Sequence, residues 1–174
     1  MPSFRTIARS IATISIAVFC TSTAIAAEAP QTFDNVYKAK LYGFNITVNN
    51  RLTKTANNQY ELLFKADSMI GSITELSKMQ WNPAQQTISP LHYSYARRGL
   101  GKDRTAELSF DWKNKSVTNN VQKTSWEMDI AQKVQDKISY QVQMQQDLLN
   151  GHKNFAYQIA DGGRLKEYKF SIVG

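Results

Sequence analysis

The chain has 174 residues with a single cysteine, and its formal net charge at neutral pH is +7. This length suits one domain with its own hydrophobic core, and a single cysteine excludes a framework of internal disulfides. The positive charge allows contact with anionic lipid headgroups or acidic polymers, although simple solubility is the commoner reason for such a charge.

The first 26 residues have the three parts of a cleavable secretory signal peptide. Arg5 and Arg9 form a positive start that contains no acidic residue. The apolar run from Ile11 to Phe19 is too short to cross a bilayer core of about 30 Å as a stable helix. Small residues follow at Ala24-Ile25-Ala26, where a signal peptidase reads them. We therefore expect cleavage after Ala26, with an uncleaved anchor as the alternative.

The remaining domain, residues 27–174, is expected to work in the periplasm. Two arginines and no acid leave with the signal, so the net charge falls from +7 to +5. Cys20 lies within the signal and does not indicate a lipoprotein, because Phe19 stands where lipid attachment requires a small residue. We expect no nucleic-acid partner in that compartment, and peripheral membrane contact at most.

Alternation of apolar and polar residues predicts six β-strands before residue 122. They cover residues 44–48, 60–66, 73–81, 90–95, 108–112 and 116–121. Asn57-Asn58 and Lys113-Asn114-Lys115 lie between strands and predict tight turns, since asparagine tolerates a positive φ. Strands with one apolar side each, joined by short turns, indicate an antiparallel sheet.

The segments after residue 122 are less uniform. Residues 123–133 predict either a further strand or a loop over the sheet. Residues 136–149 alternate as a strand does, yet Asp136 as N-cap and Gly151 past the end favour a helix, and the periodicity does not decide between them. Residues 155–160 and 165–173 predict two strands joined by a turn at Asp161-Gly162-Gly163.

The third predicted strand carries a carboxylate, Glu75, on the same side as apolar residues such as Ile73. A buried carboxylate needs a partner or takes a raised pKa, and Arg97 on the next strand is a candidate partner. The two charges are either polar anchors for a ligand headgroup or an internal ion pair. The candidate ligand-binding residues share the apolar side of the strands, and they are Ile73, Glu75, Met79, Trp81, Tyr93, Tyr95, Arg97, Phe110 and Trp112.

A basic segment follows the fourth predicted strand. Gly99 and Gly101 indicate a hairpin tip, and Asp103 is the one acid that opposes its cations. Arginine forks at such a tip bind phosphate oxygens in pairs, while the alternative is a solvated turn that protects the sheet from aggregation. The candidate contacts to an anionic surface are Arg97, Arg98, Lys102 and Arg104.

Catalytic and metal-binding signals are weak. His92 and His152 have no histidine or cysteine partner at a ligand spacing, so we expect neither a metal site nor a cofactor. Asp136 and Ser139 are three residues apart, and helix capping explains that spacing better than catalysis does. We therefore expect that the protein is not an enzyme.

Five motifs stand in a fixed order along the chain: Glu75-Leu76-Ser77, Pro90 with Tyr93 and Tyr95, Phe110-Asp111-Trp112, Asp136-Lys137-Ile138-Ser139-Tyr140-Gln141, and Ala160-Asp161-Gly162-Gly163-Arg164-Leu165-Lys166-Glu167-Tyr168. Together they resemble a bacterial envelope family known as domain of unknown function 3108. The resemblance covers residues 36–173 and implies a helix at residues 136–149. By fold analogy only, it also implies an architecture similar in kind to the Lol-type periplasmic carriers of lipoproteins, in which a curved sheet wraps a helix around an apolar cavity. The family continues with further strands, so this chain is expected to be a truncated or short version of it.

The expected fold is mainly β, an α+β domain in which a single curved antiparallel sheet or partial barrel packs around one amphipathic helix. The expected function is non-enzymatic binding or carriage of an apolar or amphiphilic envelope ligand, such as a lipid or a lipoprotein. One alternative is an interaction module whose edge strand, Leu165 to Val173, recruits an envelope protein. A hydrolase of envelope polymers is the weakest alternative, because no acid–base pair is evident.

Overall fold

The computed structural model describes residues 28–99 and 101–173, and the predicted signal peptide at residues 1–26 lies outside them. The described residues form ten strands and one helix, so the fold is mainly β as expected. No helix among them is long and apolar enough to cross a lipid bilayer. In chain order the elements are β1 (Phe33–Leu41), β2 (Phe44–Ala56), β3 (Gln59–Ser68), β4 (Gly71–Asn82), β5 (Thr87–Gly99), β6 (Arg104–Asp111), β7 (Ser116–Val121), β8 (Thr124–Asp129), α1 (Tyr140–Leu149), β9 (Asn154–Ala160) and β10 (Leu165–Ser171).

Strands β1 to β8 form one antiparallel sheet in which every strand pairs with its neighbour in sequence. The six strands predicted before residue 122 are all present. Both predicted turns also occur, with Asn58 and Lys115 at positive φ. The structure adds β1, which the sequence prediction does not include, and it resolves residues 123–133 into β8 followed by a loop.

A β-bulge interrupts the pairing of β4 with β5 at Pro90, and β5 begins before this proline instead of at it. Met79 faces Pro90 and Lys78 faces His92, so Leu91 is one extra residue in β5. A bulge tolerates a proline inside a sheet, because the missing N–H falls where the ladder is already broken. The extra residue also determines which side of the sheet the following aromatic residues, Tyr93 and Tyr95, face.

The last two strands correct the prediction of a single sheet. Among the strands of the described residues, β9 and β10 pair only with each other. A parallel bridge between Gln135 and Ile159 connects this second sheet to the segment before α1. The helix begins at Tyr140, later than predicted, because residues 137–139 form a turn whose backbone N–H groups bind Asp136.

Helix α1 is amphipathic only in part. Its buried side combines Val142 with Gln143 and Gln146. The Gln143 side chain is satisfied there, since its Oε1 accepts the backbone N–H of Ile88 at 2.7 Å. The helix contacts both β5 and β9.

One side of the large sheet faces the segment before α1, and we call it the inner side. The hydrophobic core covers one half of this side, which we call the covered half. Residues from the segment before α1 pack there against the strands, so a packed core occupies the interior in which the resemblance implies a cavity. The buried residues of this core are Leu52, Tyr60, Leu62, Met79, Trp81, Ile88, Tyr93, Leu108, Val117, Ile130, Val134, Ile138, Val142 and Ala160.

The turn between β9 and β10 docks on the large sheet through Gly163, which lies against Trp126 of β8. Gly163 has a φ of 86°, and a Cβ atom there would overlap the Trp126 indole ring. We therefore expect Gly163→Ala to lower the free energy of unfolding by about 2–3 kcal/mol, through backbone strain and loss of this contact. Urea denaturation followed by circular dichroism measures the change.

Gly162→Ala is the matched control in the same turn. Gly162 also has a positive φ, 61°, but no neighbouring atom lies within 4 Å of the place its Cβ would take. This variant isolates the backbone strain, which costs about 1 kcal/mol. Equal losses in the two variants would show that the Trp126 contact adds nothing.

Candidate functional site

The sheet register divides seven of the nine predicted ligand-binding residues between the two halves of the inner side. Those in the covered half are at most 2% exposed, and they are Met79, Trp81 and Tyr93. Those in the other half, which we call the open half, are partly accessible, and they are Ile73, Glu75, Tyr95 and Arg97. Only the second group can contact a ligand in this conformation, because the first already packs in the core.

An apolar patch fills the open half across five strands, and we call it the open face. Successive cross-strand partners bring Tyr37, Val48, Ala66 and Ile73 into one row. Tyr37 is 53% exposed and the other three are half-buried. A second row, one step nearer the core, places Glu75 between two aromatic residues, Phe64 and Tyr95.

Glu75 lies at the boundary between the two halves. The Tyr93 hydroxyl donates a hydrogen bond to Glu75 Oε2 at 2.5 Å. Burial, together with the neighbouring Glu75 carboxylate, raises the pKa of the Tyr93 hydroxyl, so this group stays a donor. Among the described residues Glu75 forms no ion pair with Arg97, its candidate partner from the sequence. Glu75 is therefore a hydrogen-bonded carboxylate at the floor of the open face.

Three cations lie beside the open face. Arg97 continues the row of Ile73 and faces Arg104 of β6. Lys137 places its Nζ 5.3 Å from the centre of the Tyr95 ring, a cation–π contact. Arg104 and Lys137 help to line a cleft of about 200 Å³. Lys137 is not among the residues predicted from the sequence, because no local pattern shows that residues 136–139 reach across the sheet.

The four residues predicted to contact an anionic surface do not share one side. Arg97 and Arg104 face the inner side of the sheet, whereas Arg98 alternates to the outer side and pairs with Asp103 at 3.0 Å. Lys102 is exposed in the turn between β5 and β6, where its backbone oxygen accepts a hydrogen bond from Arg97 Nη2 at 2.8 Å. The structure thus brings together two of the four.

Phe110 and Trp112 lie toward the other end of β6, away from the open face. Their rings stack with centroids 5.8 Å apart. Trp112 Nε1 donates to the Pro90 carbonyl at 2.7 Å, and both rings pack against the margin of the core. The structure does not bring these two predicted ligand contacts together with those of the open face.

A buried carboxylate, Asp136, joins the segment before α1 to the large sheet. Its Oδ2 accepts a hydrogen bond from Ser77 Oγ at 2.5 Å, and its Oδ1 accepts the backbone N–H groups of Ile138 and Ser139 at 2.9 and 2.8 Å. Burial raises the pKa of Asp136. Asp136, Ser77 and Ser139 are all fully buried, and Asp136 caps the turn that leads into α1. Asp136 is therefore not the N-cap of the helix itself, as predicted, because the helix begins later and its N-cap is Ser139, whose side chain makes no capping bond.

A polar hollow of about 400 Å³ lies between α1, β9 and the turn before β5. Its side chains bind one another: Asn150 Nδ2 donates to Gln86 Oε1 at 2.7 Å across elements, and Gln143 Nε2 donates to Asp147 Oδ1 at 3.0 Å within α1. The Tyr157 hydroxyl donates to the second Asp147 oxygen at 2.7 Å. These bonds hold the helix in place, which leaves the open face as the stronger candidate site.

Comparison with known proteins identifies one family. The family described as "Protein of unknown function (DUF3108)" matches residues 82–174, which is more than half of the chain. No curated protein and no solved structure matches the chain, so the likeness to Lol-type carriers stays a prediction. The match is shorter than the resemblance seen in the sequence, since it begins after Glu75-Leu76-Ser77. The chain belongs to the DUF3108 family.

Proposed function

We propose that this protein binds the apolar part of an amphiphile on the open face, as a non-enzymatic binding or carrier protein of the cell envelope. The observation that supports the proposal is the partly exposed row of Tyr37, Val48, Ala66 and Ile73 on the inner side of the sheet. A sheet normally buries its apolar side against another layer. An apolar patch that stays accessible is typical of a binding surface.

The dimensions of the open face suit an alkyl chain. Its apolar row crosses four strands, which at their usual spacing span about 14 Å, close to the length of an extended chain of a dozen carbons. Each methylene group removed from water contributes about 0.8 kcal/mol, so affinity should rise with chain length. Because the site is a face and not an enclosed cavity, one side of the chain stays in water and binding is reversible.

The test is calorimetric titration with dodecyl maltoside and decyl maltoside below their micelle concentrations. The double variant Tyr37→Ser/Ile73→Ser removes apolar area from both ends of the row. We expect it to weaken dodecyl maltoside binding about tenfold, as the loss of two partly buried apolar side chains predicts. The wild-type protein should bind the dodecyl compound more tightly than the decyl compound.

Val36→Ser/Leu76→Ser is the matched control. Both residues alternate to the outer side of β1 and β4, and Val36 is 60% exposed. This control removes similar apolar groups from the same strands and should leave binding unchanged. An equal loss in the control, or no dependence of affinity on chain length, would refute binding at the open face.

A second candidate function is recruitment of a protein partner at β10. Within the described residues β10 pairs only with β9, so its other edge offers unpaired backbone groups for strand addition. Leu148 and Leu149, 44% and 52% exposed, lie with Phe170 of β10 around an adjacent apolar groove. Amphiphile binding that responds to the open-face variant would favour the first candidate over this one.

A further inference from the structure

Arg97 and Arg104 form a like-charge pair across β5 and β6, on the side of the sheet that carries the open face. Cross-strand partners hold their Cβ atoms about 5 Å apart, and like charges at that distance destabilise a sheet. Such a pair persists where another interaction offsets the repulsion. From this pair, together with Lys137, we infer that the protein has a binding site for a phosphate-type anion at the edge of the open face.

The three cations have no carboxylate partner among the described residues at ion-pair distance. Three acids lie nearby and bind other groups: Glu75 accepts the Tyr93 hydroxyl, whereas Asp103 and Asp161 each form an ion pair with a different cation. The cluster therefore keeps a positive charge that no ion pair within it compensates. A bound anion would supply the missing charge.

Arg97 is also fixed in place with part of its donor capacity unused. Its Nη2 donates to the Lys102 carbonyl at 2.8 Å, which holds the guanidinium group. Its Nε is buried and has no hydrogen-bond partner in the described part of the chain. A buried guanidinium N–H without a partner is costly, and this cost adds to the repulsion within the like-charge pair.

The neighbouring cleft has the size of a headgroup. It measures about 200 Å³, and its lining includes Arg104, Lys137 and Tyr95. Asp161 also lines the cleft, but its carboxylate is paired with Lys166. This volume admits a phosphate group with a small substituent but not an alkyl chain, which would have to lie elsewhere. Tyr95 belongs to both the cleft and the second row of the open face, so the two sites are contiguous.

The ligand class is therefore an amphiphile with an anionic phosphate head and an alkyl tail. This assignment rests on the proposed function. Free phosphate offers the same oxygens without the tail. Three probes separate these sources, namely dodecyl phosphate, dodecyl maltoside and inorganic phosphate.

Calorimetric titration of the wild-type protein should show that dodecyl phosphate binds about tenfold more tightly than dodecyl maltoside, since charge-assisted hydrogen bonds are the stronger kind. Arg97→Gln/Arg104→Gln should abolish this preference while dodecyl maltoside still binds. Lys137→Gln should reduce the preference by itself. Arg98→Gln/Lys102→Gln removes the same charge from the same hairpin, but not from the inner side, and should keep the preference.

Each outcome separates this site from the proposed function. Equal binding of the two dodecyl compounds by the wild-type protein would overturn the anion site and leave the open face standing. Binding of inorganic phosphate as tight as that of dodecyl phosphate, with no maltoside binding, would support the anion site and refute the open face. An equal loss of preference in the Arg98→Gln/Lys102→Gln control would overturn the anion site, because general charge would then explain the effect.

Discussion

Asp136→Ala is expected to lower the free energy of unfolding by about 4 kcal/mol, a large part of the stability of a domain of this size. The substitution removes the acceptor of three buried donors: Ser77 Oγ and the backbone N–H groups of Ile138 and Ser139. Each buried donor left without a partner costs about 1–3 kcal/mol. Urea denaturation followed by tryptophan fluorescence measures the loss.

Two controls make the Asp136 result specific. Asp136→Asn keeps an oxygen for the two backbone N–H groups and offers Ser77 an amide donor, so it should cost less than half as much as alanine. Asp111→Ala also removes a carboxylate that accepts a backbone N–H, from Asn114 at 3.0 Å, but at an exposed turn where water replaces the bond. Its effect should be small. An asparagine variant as unstable as the alanine variant would contradict the capping role.

The large sheet could be predicted from the sequence because each strand carries its apolar residues on one side, which is buried in the covered half. Tyr60 and Leu62 alternate with Glu61 for this reason, and Met79 and Trp81 alternate with Gln80 in the same way. The same alternation cannot show which sheet a strand joins. Strands β9 and β10 alternate like the others, and their separation depends on contacts distant in sequence, such as the bridge from Gln135 to Ile159.

The candidate site could be predicted only in part, for a related reason. Alternation correctly places Ile73 and Glu75 on the inner side with Met79 and Trp81. It cannot show where the segment before α1 crosses the sheet, and this crossing decides which residues become core. The signal that separates Arg97 from Arg98 was present in the sequence, since adjacent strand residues point to opposite sides.

Trp81→Ala tests this division, and we expect it to lower the free energy of unfolding by about 3–5 kcal/mol. Trp81 is 2% exposed and faces Ile88 across the strands, so truncation leaves a cavity that the packed core cannot close. Ile73→Ala, on the same side of the same strand but half-buried, should cost about 1 kcal/mol. Urea denaturation followed by circular dichroism compares the two variants without depending on the lost tryptophan.

We expect the binding assay to rank Trp81→Ala and Ile73→Ala in the opposite order, because the open half binds the ligand and the covered half forms the core. Ile73→Ala should weaken dodecyl maltoside binding at native stability, whereas Trp81→Ala should unfold more easily but bind normally at temperatures where it is folded. A stable Trp81→Ala variant that no longer binds the amphiphile would place Trp81 in the ligand site. The core would then have to open for a ligand to enter, and the cavity implied by the family resemblance would describe the bound state.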